Sequence, residues 1–320
     1  MKCIVTGCAG FIGSNLVDRL LSDGHDVLGI DNFSTGRKLF LRSALNSKRF
    51  KLVELDLLNL DSMQDHFIDK DLVFHLSANA DVRFGTNYPK RDLEQNTIVT
   101  YNVLESMRRN GVKRIVFSST GSVYGEATVI PTPENSPFPV QTSLYGASKL
   151  ACEGLIAAYC TGFEMQSWIF RFVSILGERY THGHVYDFYK KLKDDKTVLS
   201  VLGNGKQRKS YLHVQDCIDA VLLALSKSNE NINIYNLGVD DYCEVNDSIG
   251  WICNELGVEP TIEYTGSDRG WVGDNPFIYL DTKKIRSLGW MPKFDIRESI
   301  IKTVDFLRQN EWVFDLRDSK

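Results

Sequence analysis

Residues 2–23 of the chain read KCIVTGCAGFIGSNLVDRLLSD. A short apolar run precedes the glycines Gly7, Gly10 and Gly13, and a run with apolar residues at helical spacing follows them. This order predicts a buried strand, a tight glycine turn and an α-helix. Backbone N–H groups and the positive end of the helix dipole meet at such a turn, which suits a pyrophosphate. The spacing G-x-x-G-x-x-G differs from the general dinucleotide fingerprint.

An acidic residue closes the next predicted strand, about 20 residues downstream. Asp31 at that position can accept hydrogen bonds from both hydroxyls of an adenosine ribose and would repel a 2′-phosphate, which favours NAD over NADP. Asp56 follows the third strand and is expected at the adenine edge, with Leu57 beside it. In the alternative interpretation, Asp31 caps a loop and the glycines only make a turn. The order strand, glycines, helix, strand and acid favours the cofactor site.

Short apolar runs alternate with amphipathic stretches over the first two thirds of the chain, a pattern typical of βαβ units in a parallel sheet. Strands are predicted at residues 3–5, 27–30, 51–55, 72–76, 114–118 and 167–172, and helices at 14–23, 97–109, 145–160, 214–225, 281–288 and 297–307. We expect an α/β fold with a Rossmann-type doubly wound parallel sheet in residues 1–172. A smaller C-terminal substrate-binding lobe is expected in 173–320, with strands or helices free to exchange between the lobes.

The composition is that of a folded globular protein, with 320 residues, 43% hydrophobic and 24% charged. A net charge of −4 provides no basic field for nucleic acid or an anionic membrane. The seven cysteines include no C-x-x-C pair, and several lie in apolar runs, so reduced core thiols are expected. Neither a signal peptide nor a run of about 20 apolar residues is found. These features predict a cytoplasmic protein.

Tyr145 and Lys149 are four residues apart in a predicted helix and therefore share one face. A phenol with a pKa of about 10 is a poor base at neutral pH, and a nearby ammonium group lowers that pKa. The pattern alone is common in surface helices. Here it is joined by the hydroxyl residues of the run Ser118–Tyr124, at the carboxyl end of a parallel strand where such sheets bind ligands.

At these residues the sequence resembles the extended short-chain dehydrogenase/reductase family and, within it, the nucleotide-sugar 4-epimerases typified by UDP-glucose 4-epimerase. The resemblance covers nearly the whole chain. It is carried by TGCAGFIGSNLVDRLL, Asp31-Asn32, Asp56-Leu57, HLSANADVR from His75, Asn96, SSTGSVYGE, YGASK, RFVSILGER from Arg171 and GNGKQRKSYLHVQD from Gly203. It implies NAD as the cofactor, held by Gly7, Gly10, Phe11, Ile12, Gly13, Asp31, Asn32, Asp56, Leu57, Leu76, Ala78, Asn96, Ser118, Tyr145, Lys149 and Phe172.

The resemblance also implies a reaction. Tyr145 would take the proton of the sugar 4-hydroxyl while a hydride leaves C4 for NAD, with Thr120 bonded to the same hydroxyl and Lys149 at the nicotinamide ribose. Return of the hydride to the other face would invert C4 without net oxidation. Dehydratases of the family carry an Asp-Glu pair where Gly121 and Ser122 stand, and decarboxylating relatives keep the Glu. The sequence therefore favours a 4-epimerase of a UDP-hexose, UDP-Glc/UDP-Gal, with UDP-GlcNAc/UDP-GalNAc as further candidates.

Substrate contacts are implied by the same alignment. They are Thr120, Ser174, His184, Val185, Lys209 and Arg269. Lys209 replaces the usual Arg and cannot make its bidentate fork, so Arg208 could assist, and Ser174 replaces the usual Asn. Arg269 resembles the arginine of a late R-x-G-D motif, although two extra residues precede Gly273-Asp274; alternatively it forms a surface salt bridge.

Three further expectations concern specificity and individual histidines. Ile278 aligns where a bulky Tyr closes narrower epimerases, so N-acetylated sugars could enter. Thr181 stands where glucuronate relatives carry a second Arg, which disfavours a C6 carboxylate. His75 is expected to be a core residue, and no metal is assigned to His182 and His184 because they have no carboxylate partner at ligand spacing.

Several alternatives stay open. The same residues would suit a UDP-glucuronate 4-epimerase, or a nucleotide-sugar 4-ketoreductase or dehydratase, and the fold could also serve a non-catalytic NAD-binding sensor. A homodimer is expected through a four-helix contact of the helices at 97–109 and 145–160. Leu155 and Tyr159 are candidate contacts, although both could face the chain's own sheet.

Overall fold

Short buried strands alternate with helices in the computed structural model, which describes residues 1–79, 84–138, 140–270, 275 and 277–315. In chain order the strands are β1 (Lys2–Thr6), β2 (Asp26–Asp31), β3 (Phe50–Glu54), β4 (Leu72–His75), β5 (Arg114–Thr120), β6 (Gln166–Phe172), β7 (Ser174–Leu176), β8 (Val198–Val201), β9 (Arg208–Lys209), β10 (Tyr211–His213), β11 (Ile232–Leu237), β12 (Cys243–Glu244), β13 (Thr261–Tyr264) and β14 (Phe277–Ile278). The α-helices are α1 (Phe11–Ser22), α2 (Leu60–Met63), α3 (Phe84–Asn87), α4 (Pro89–Asp92), α5 (Val99–Arg109), α6 (Leu144–Phe163), α7 (His184–Asp194), α8 (Val214–Lys227), α9 (Val245–Leu256), α10 (Lys283–Ser287), α11 (Ile296–Gln309) and α12 (Trp312–Asp315).

Seven strands form one parallel sheet in the order β3-β2-β1-β4-β5-β6-β11. Strands β2 and β3 are added on one side of β1, and β4, β5 and β6 on the other, so the strand order switches between β1 and β4. The carboxyl ends of these two strands leave a crevice there, where doubly wound sheets bind ligands. All six predicted strands lie in this sheet. The expected Rossmann-type fold is therefore confirmed.

The C-terminal third contributes to the sheet as well as to a separate layer. Strand β11 pairs with β6 over its whole length. Helix α8 packs on α1, where Arg19 Nη1 lies 2.5 Å from Asp219 Oδ1 and Gln215 Nε2 donates to Asn15 Oδ1 at 3.1 Å. A cut at residue 172 would therefore separate β11 from the sheet and α8 from the helix α1 on which it packs.

The predicted helices are present, with their ends moved by a few residues, and α5 is preceded by a π-helical segment at Leu93–Ile98. Helices α7 and α9 were not predicted. Both carry polar and aromatic residues among their apolar positions, as in HVYDFYKKLKD. Their apolar faces meet each other and α11, so packing decides their conformation.

Two apolar clusters lie on the two faces of the sheet, one under α1 and α8 and the other under α5 and α6. All seven cysteines are free; six are buried and Cys253 is half-buried. Burial raises the pKa of Cys3 to about 11, which keeps it a thiol. Six of the seven cysteines therefore lie in the core, as expected. No helix in the part of the chain described is long and apolar enough to cross a membrane.

Candidate active site

The glycine turn after β1 forms a cradle that side chains would fill. Gly7 has φ +68°, and a Cβ on Gly13 would lie 2.0 Å from the Gly7 carbonyl oxygen. The first helical bond runs from Ser14 N to Gly10 O at 3.0 Å, so the N–H groups of residues 11–13 precede it at the positive end of α1. This cradle fits the pyrophosphate of NAD.

Asp31 ends β2 beside this cradle. Its carboxylate accepts hydrogen bonds from Ala9 N at 2.9 Å and Phe33 N at 2.8 Å, so it also orders the turn, as the alternative interpretation supposed. Burial raises its pKa, and the two backbone bonds act in the opposite direction. Asn32 Nδ2 lies 3.4 Å from Asp56 Oδ2. These polar groups bound one end of a cavity, and their chemistry suits an adenosine.

The cavity runs along the carboxyl ends of the strands and has a volume of about 1450 Å³. Single small-molecule pockets span about 300–1,000 Å³, so there is room for two ligands. Predicted cofactor residues that line it are Gly7, Gly10, Phe11, Ile12, Gly13, Asp31, Asn32, Asp56, Leu57, Leu76, Ala78, Ser118, Tyr145 and Phe172. Predicted substrate residues that line it are Thr120, Ser174, His184 and Lys209.

Thr120 and Tyr145 line this cavity, whereas Lys149 is buried and does not line it. Strand β5 delivers Thr120, whose Oγ1 accepts from Ser122 N at 3.1 Å, and a hydrogen bond joins Thr120 to Tyr145. Lys149 is buried one turn along α6, and its Nζ donates to Ser118 O at 2.9 Å and lies 4.7 Å from the centre of the Phe117 ring. The catalytic roles of these three residues stay a prediction.

The expected lowering of the Tyr145 pKa by Lys149 is not provided by the chain's own groups. Burial raises the pKa of Tyr145 to about 12, and the hydrogen bond with Thr120 opposes that rise only in part. Burial likewise lowers the pKa of Lys149 to about 8. The physical reason is desolvation, which disfavours the phenolate and the ammonium ion alike.

Asn96 does not line the cavity. It is fully buried in the π-helical segment, and its Oδ1 accepts from Asn79 N at 2.8 Å. Asn79 does line the cavity. Asn96 therefore supports the segment after β4 and does not reach the cofactor with its own side chain, because its amide points inward between two helices.

Two expected substrate residues are placed differently. Val185 is fully buried in the core, so its side chain does not reach the cavity. Arg269 is exposed and pairs with Glu126 Oε1 at 2.6 Å, outside the cavity lining, as the salt-bridge alternative proposed. Gly273-Asp274 lie outside the described residues. Neither residue's side chain faces the proposed ligand here, because one packs inward and the other extends to solvent.

Lys209 faces the cavity and donates from Nζ to Asn275 O at 2.6 Å. Arg208 does not assist it. The two residues are neighbours in β9, so their side chains point to opposite faces, and the Arg208 guanidinium lies 4.0 Å from the centre of the Phe277 ring. One cation therefore reaches the substrate end from this strand.

The sequence did not identify Gln207 and Ser210 as site residues. Both line the cavity and are 5% and 3% exposed, and within the described residues Gln207 Oε1 and Ser210 Oγ have no hydrogen-bond partner. Buried polar atoms that face a cavity without a partner indicate a polar ligand. The polar run GNGKQRKS that follows β8 was the available signal.

Burial keeps two histidines, His75 and His184, neutral by lowering the pKa of each. His75 lies between Thr6 Oγ1 at 2.8 Å and Thr100 Oγ1 at 3.0 Å, and burial lowers its pKa to about 3, which confirms the core interpretation. His184 stacks on Tyr211 with ring centres 4.7 Å apart, and burial, then Lys209, lowers its pKa to about 3. Among the residues described, no group of three or more His, Cys, Asp or Glu could hold a metal ion.

Gly121 packs behind Ile278, which lines the cavity. A Cβ at this position would be 2.9 Å from Ile278 Cγ2 and 3.4 Å from Phe172 O. An acidic side chain at Gly121 would therefore collide with Ile278 unless β14 moved.

Residues 3–238 match the model of the NAD dependent epimerase/dehydratase family. The chain belongs to this family. The UDP-glucose 4-epimerase of Mycolicibacterium smegmatis is 33% identical over 316 residues, covering 96% of this chain and 99% of that one. A crystal structure of a UDP-galactose 4-epimerase has TM-score 0.87 and 36% identity, covering 98% and 100%. The UDP-glucuronic acid 4-epimerase of Bacillus cereus, solved with UDP-glucuronic acid and NAD, has TM-score 0.86 and 27% identity, covering 97% and 99%.

Proposed function

We propose that this family member is a UDP-sugar 4-epimerase, which inverts C4 of UDP-Glc/UDP-Gal through a 4-keto sugar with NAD held throughout. The observation that carries the proposal is the bonded pair Thr120 and Tyr145 on the wall of a cavity large enough for a dinucleotide and a nucleotide sugar, with Lys149 buried one helical turn beyond Tyr145. The glycine cradle and Asp31 occupy one side of it.

NAD, when bound, accepts a hydride from C4 and returns it, and its oxidised nicotinamide carries a positive charge. The turn at Gly7, Gly10 and Gly13 would hold the pyrophosphate, and Asp31 the adenosine ribose. Asp56 and Leu57 would bound the adenine. These roles follow from the fit of the residues to the group.

Tyr145 would take the proton of the 4-hydroxyl at its phenolic oxygen, and Thr120 would orient the same hydroxyl. Lys149, held under Tyr145 by Ser118 O, would stabilise the phenolate and reach the nicotinamide ribose. Because the chain alone raises the pKa of Tyr145, the base is suited to act only in the loaded site, where further positive charge is present.

The positions of the carboxylates on the described cavity lining argue against dehydration. Loss of water from the sugar requires an acid near the leaving hydroxyl. The carboxylates on the described cavity lining are Asp31, Asp56, Asp187 and Asp194, none of them on β5 or in the segment that follows it. An acid at Gly121 would have to displace Ile278. This supports an epimerase over a dehydratase.

The nucleotide diphosphate would lie toward Ser174, Lys209 and Ser210, the hydroxyls and the cation at the other end of the cavity. Substrate contacts by Arg269 and by the backbone at Val185 are also proposed, and each would require a local movement of its segment toward the cavity. With Ile278 as the wall, N-acetylated sugars are further candidate substrates.

The test is an NMR assay of the purified protein with UDP-Glc or UDP-Gal and no added NAD. We expect interconversion at C4 with no net consumption of cofactor and with NAD present in the purified protein. A 4-ketoreductase would need stoichiometric NADH, and a sensor would bind NAD and leave both sugars unchanged. Either result would contradict the proposal.

Substrate range is measured in the same preparation. We expect UDP-GlcNAc to turn over at more than about a hundredth of the UDP-Glc rate, because Ile278 leaves the wall open, and UDP-glucuronate to turn over more slowly than UDP-Glc, because Thr181 offers no charge. A UDP-GlcNAc rate below that fraction contradicts the N-acetyl proposal. Faster turnover of UDP-glucuronate would make the uronate the substrate.

We also propose a cytoplasmic homodimer through α5 and α6. Tyr101 and Ile98 are 42% and 40% exposed, and Ala158 is exposed on α6. Leu155 and Tyr159 contribute only in part: both also pack against the chain's own core, and Tyr159 Oη donates to Glu105 Oε1 at 2.6 Å.

Light scattering tests this contact. The wild type is expected at twice 36.3 kDa, and Tyr101→Arg is expected to give the monomer, because a buried unpaired charge costs several kcal/mol, about 3–5. Met291→Arg, at a position 63% exposed and remote from α5 and α6 in sequence, is the control and should stay dimeric. A monomeric wild type would contradict the proposal.

A further inference from the structure

An aromatic group on the outer face of the three-strand sheet β12-β9-β14 has no role in the reaction described so far. Its members are Arg208 on β9, Tyr242 just before β12, Phe277 on β14 and Tyr279 just after β14. The guanidinium carbon of Arg208 lies 4.0 Å from the centre of the Phe277 ring and 5.5 Å from that of Tyr242. The centres of those two rings are 5.0 Å apart, and the Tyr279 ring lies 5.9 Å from Phe277 and 5.7 Å from Tyr242. We call these four residues the aromatic clasp.

The same strands carry part of the cavity wall on their inner face. Strands β9 and β14 pair in parallel, with Phe277 opposite Arg208 and Ile278 opposite Lys209. Paired residues of neighbouring strands share a face of the sheet, and consecutive residues alternate between the two faces. Arg208 and Phe277 therefore point outward into the clasp, whereas Lys209 and Ile278 line the cavity. The clasp thus lies directly behind the proposed substrate wall.

Ile278 lies between clasp residues in the chain and packs beside the strand that carries Thr120. Its two neighbours in the sequence, Phe277 and Tyr279, both belong to the clasp. A Cβ on Gly121, the residue after Thr120, would lie 2.9 Å from Ile278 Cγ2. The distance that Ile278 projects into the cavity beside Thr120 therefore depends on how closely β14 is held to the rest of the wall.

Hydrogen bonds outside the strand pairing hold β14 at its two ends. Strands β9 and β14 are each two residues long, so their ladder contains few bonds. Before β14, Lys209 Nζ donates to Asn275 O at 2.6 Å, and after it Thr132 N donates to Tyr279 O at 2.8 Å. Because Ile278 lies between these two anchors, the side-chain contacts of its neighbours are needed to fix the middle of the strand.

The clasp lies at the surface and outside the core. Tyr242 is 41% exposed, Arg208 is exposed and Phe277 is half-buried. Among the described residues, Ile278 packs at the margin of one apolar cluster, and Phe277 belongs to neither cluster. Ring–ring and cation–π contacts at such a surface each contribute modestly to stability. Their loss is therefore expected to shift β14 without unfolding the chain.

We propose that Arg208 and Phe277 are positioning residues for the sugar wall: the clasp holds β14 against β9 and thereby sets how far Ile278 projects into the cavity and whether the sugar can carry an N-acetyl group. This inference rests on the proposed function, in which Ile278 is the wall that such a group would meet. Without the Phe277 ring, β14 has space to move outward, so the room beside Thr120 grows.

The experiment measures kcat/KM for UDP-GlcNAc and for UDP-Glc in the NAD-bound wild type and in Phe277→Ala, by NMR. We expect the ratio of the two constants, UDP-GlcNAc over UDP-Glc, to rise about three- to tenfold in the variant, because the wall retreats by a fraction of a methylene group. A change in the fraction of active protein alters both constants equally, so a merely structural effect leaves the ratio unchanged. If the wild type does not turn over UDP-GlcNAc, measurable turnover is expected in Phe277→Ala.

Three further variants serve as controls. Phe277→Tyr keeps the ring and should keep the wild-type ratio. Arg208→Met keeps an aliphatic side chain and removes the cation, so the ratio should rise by a smaller factor, about two- to threefold. Phe163→Ala is the matched control, because Phe163 is 41% exposed and lies 5.3 Å from the Arg108 guanidinium carbon at the carboxyl end of α6, outside the described cavity lining. Its ratio should match the wild type.

An unchanged or lower ratio in Phe277→Ala would overturn the inference, as would an equal rise in Phe163→Ala or the absence of UDP-GlcNAc turnover from both the wild type and Phe277→Ala. If Phe277→Ala does not accumulate as folded protein, Arg208→Met decides in its place. Failure of both variants to fold would make the clasp a stability element and would also overturn the inference. A wild type inactive on UDP-Glc would instead refute the proposed function, so the two failures are distinguishable.

Discussion

Replacement of Tyr145 by Phe is expected to lower kcat about 10³-fold, close to 4 kcal/mol of transition-state stabilisation, while NAD stays bound. Phe keeps the ring that lines the cavity and removes only the phenolic oxygen that bonds to Thr120. The cofactor contacts at the glycine turn are untouched. The measurement is the rate of UDP-Gal conversion together with the NAD released per chain on denaturation.

A second Tyr→Phe variant serves as the control. Tyr189 lies on α7, and its hydroxyl donates to Glu311 Oε1 at 3.1 Å, away from the cavity lining. Tyr189→Phe should keep both kcat and bound NAD. Loss of NAD together with activity in Tyr145→Phe would show that Tyr145 is structural, and retention of activity would assign the base elsewhere.

Gly13→Ala is expected to abolish NAD binding and, with it, epimerisation. The new methyl group would lie 2.0 Å from the Gly7 carbonyl oxygen and 2.9 Å from its carbonyl carbon. These atoms belong to the backbone of the turn, so α1 must move away from β1 and the N–H groups of the cradle move with it. Overpacking of this kind costs about 1–3 kcal/mol of folding free energy. Bound NAD and Tm are the measurements.

Gly250→Ala is the matched control. Gly250 is exposed in α9, and a Cβ there would have no neighbour within 4 Å, so Ala should leave NAD content unchanged and Tm equal or higher. Full NAD content in Gly13→Ala would contradict the assignment of the turn as the pyrophosphate cradle.

Six of the seven strands of the sheet could be predicted because each contains a short apolar run, whereas β11 was missed because two asparagines interrupt its sequence INIYNL. The glycine turn and Asp31 could also be predicted, because strand, glycines, helix, strand and acid follow one another in a short stretch of the sequence. Helices α7 and α9 were missed because their apolar residues are interspersed with aromatic and charged residues. Their packing against each other and against α11 stabilises them as helices.

The sequence by itself determined the doubly wound sheet, the cofactor cradle, the Tyr145–Lys149 pair and the absence of an acid at Gly121. Each of these depends on residues close together in the sequence or on the spacing of apolar residues along a strand or helix. Tertiary structure alone decided that Ile278 covers Gly121, that Arg269 pairs with Glu126 and that Arg208 packs on Phe277. Those contacts join segments distant in sequence. Burial then sets the pKa values of Tyr145 and Lys149, because desolvation depends on everything packed around a group and not on its neighbours in the chain.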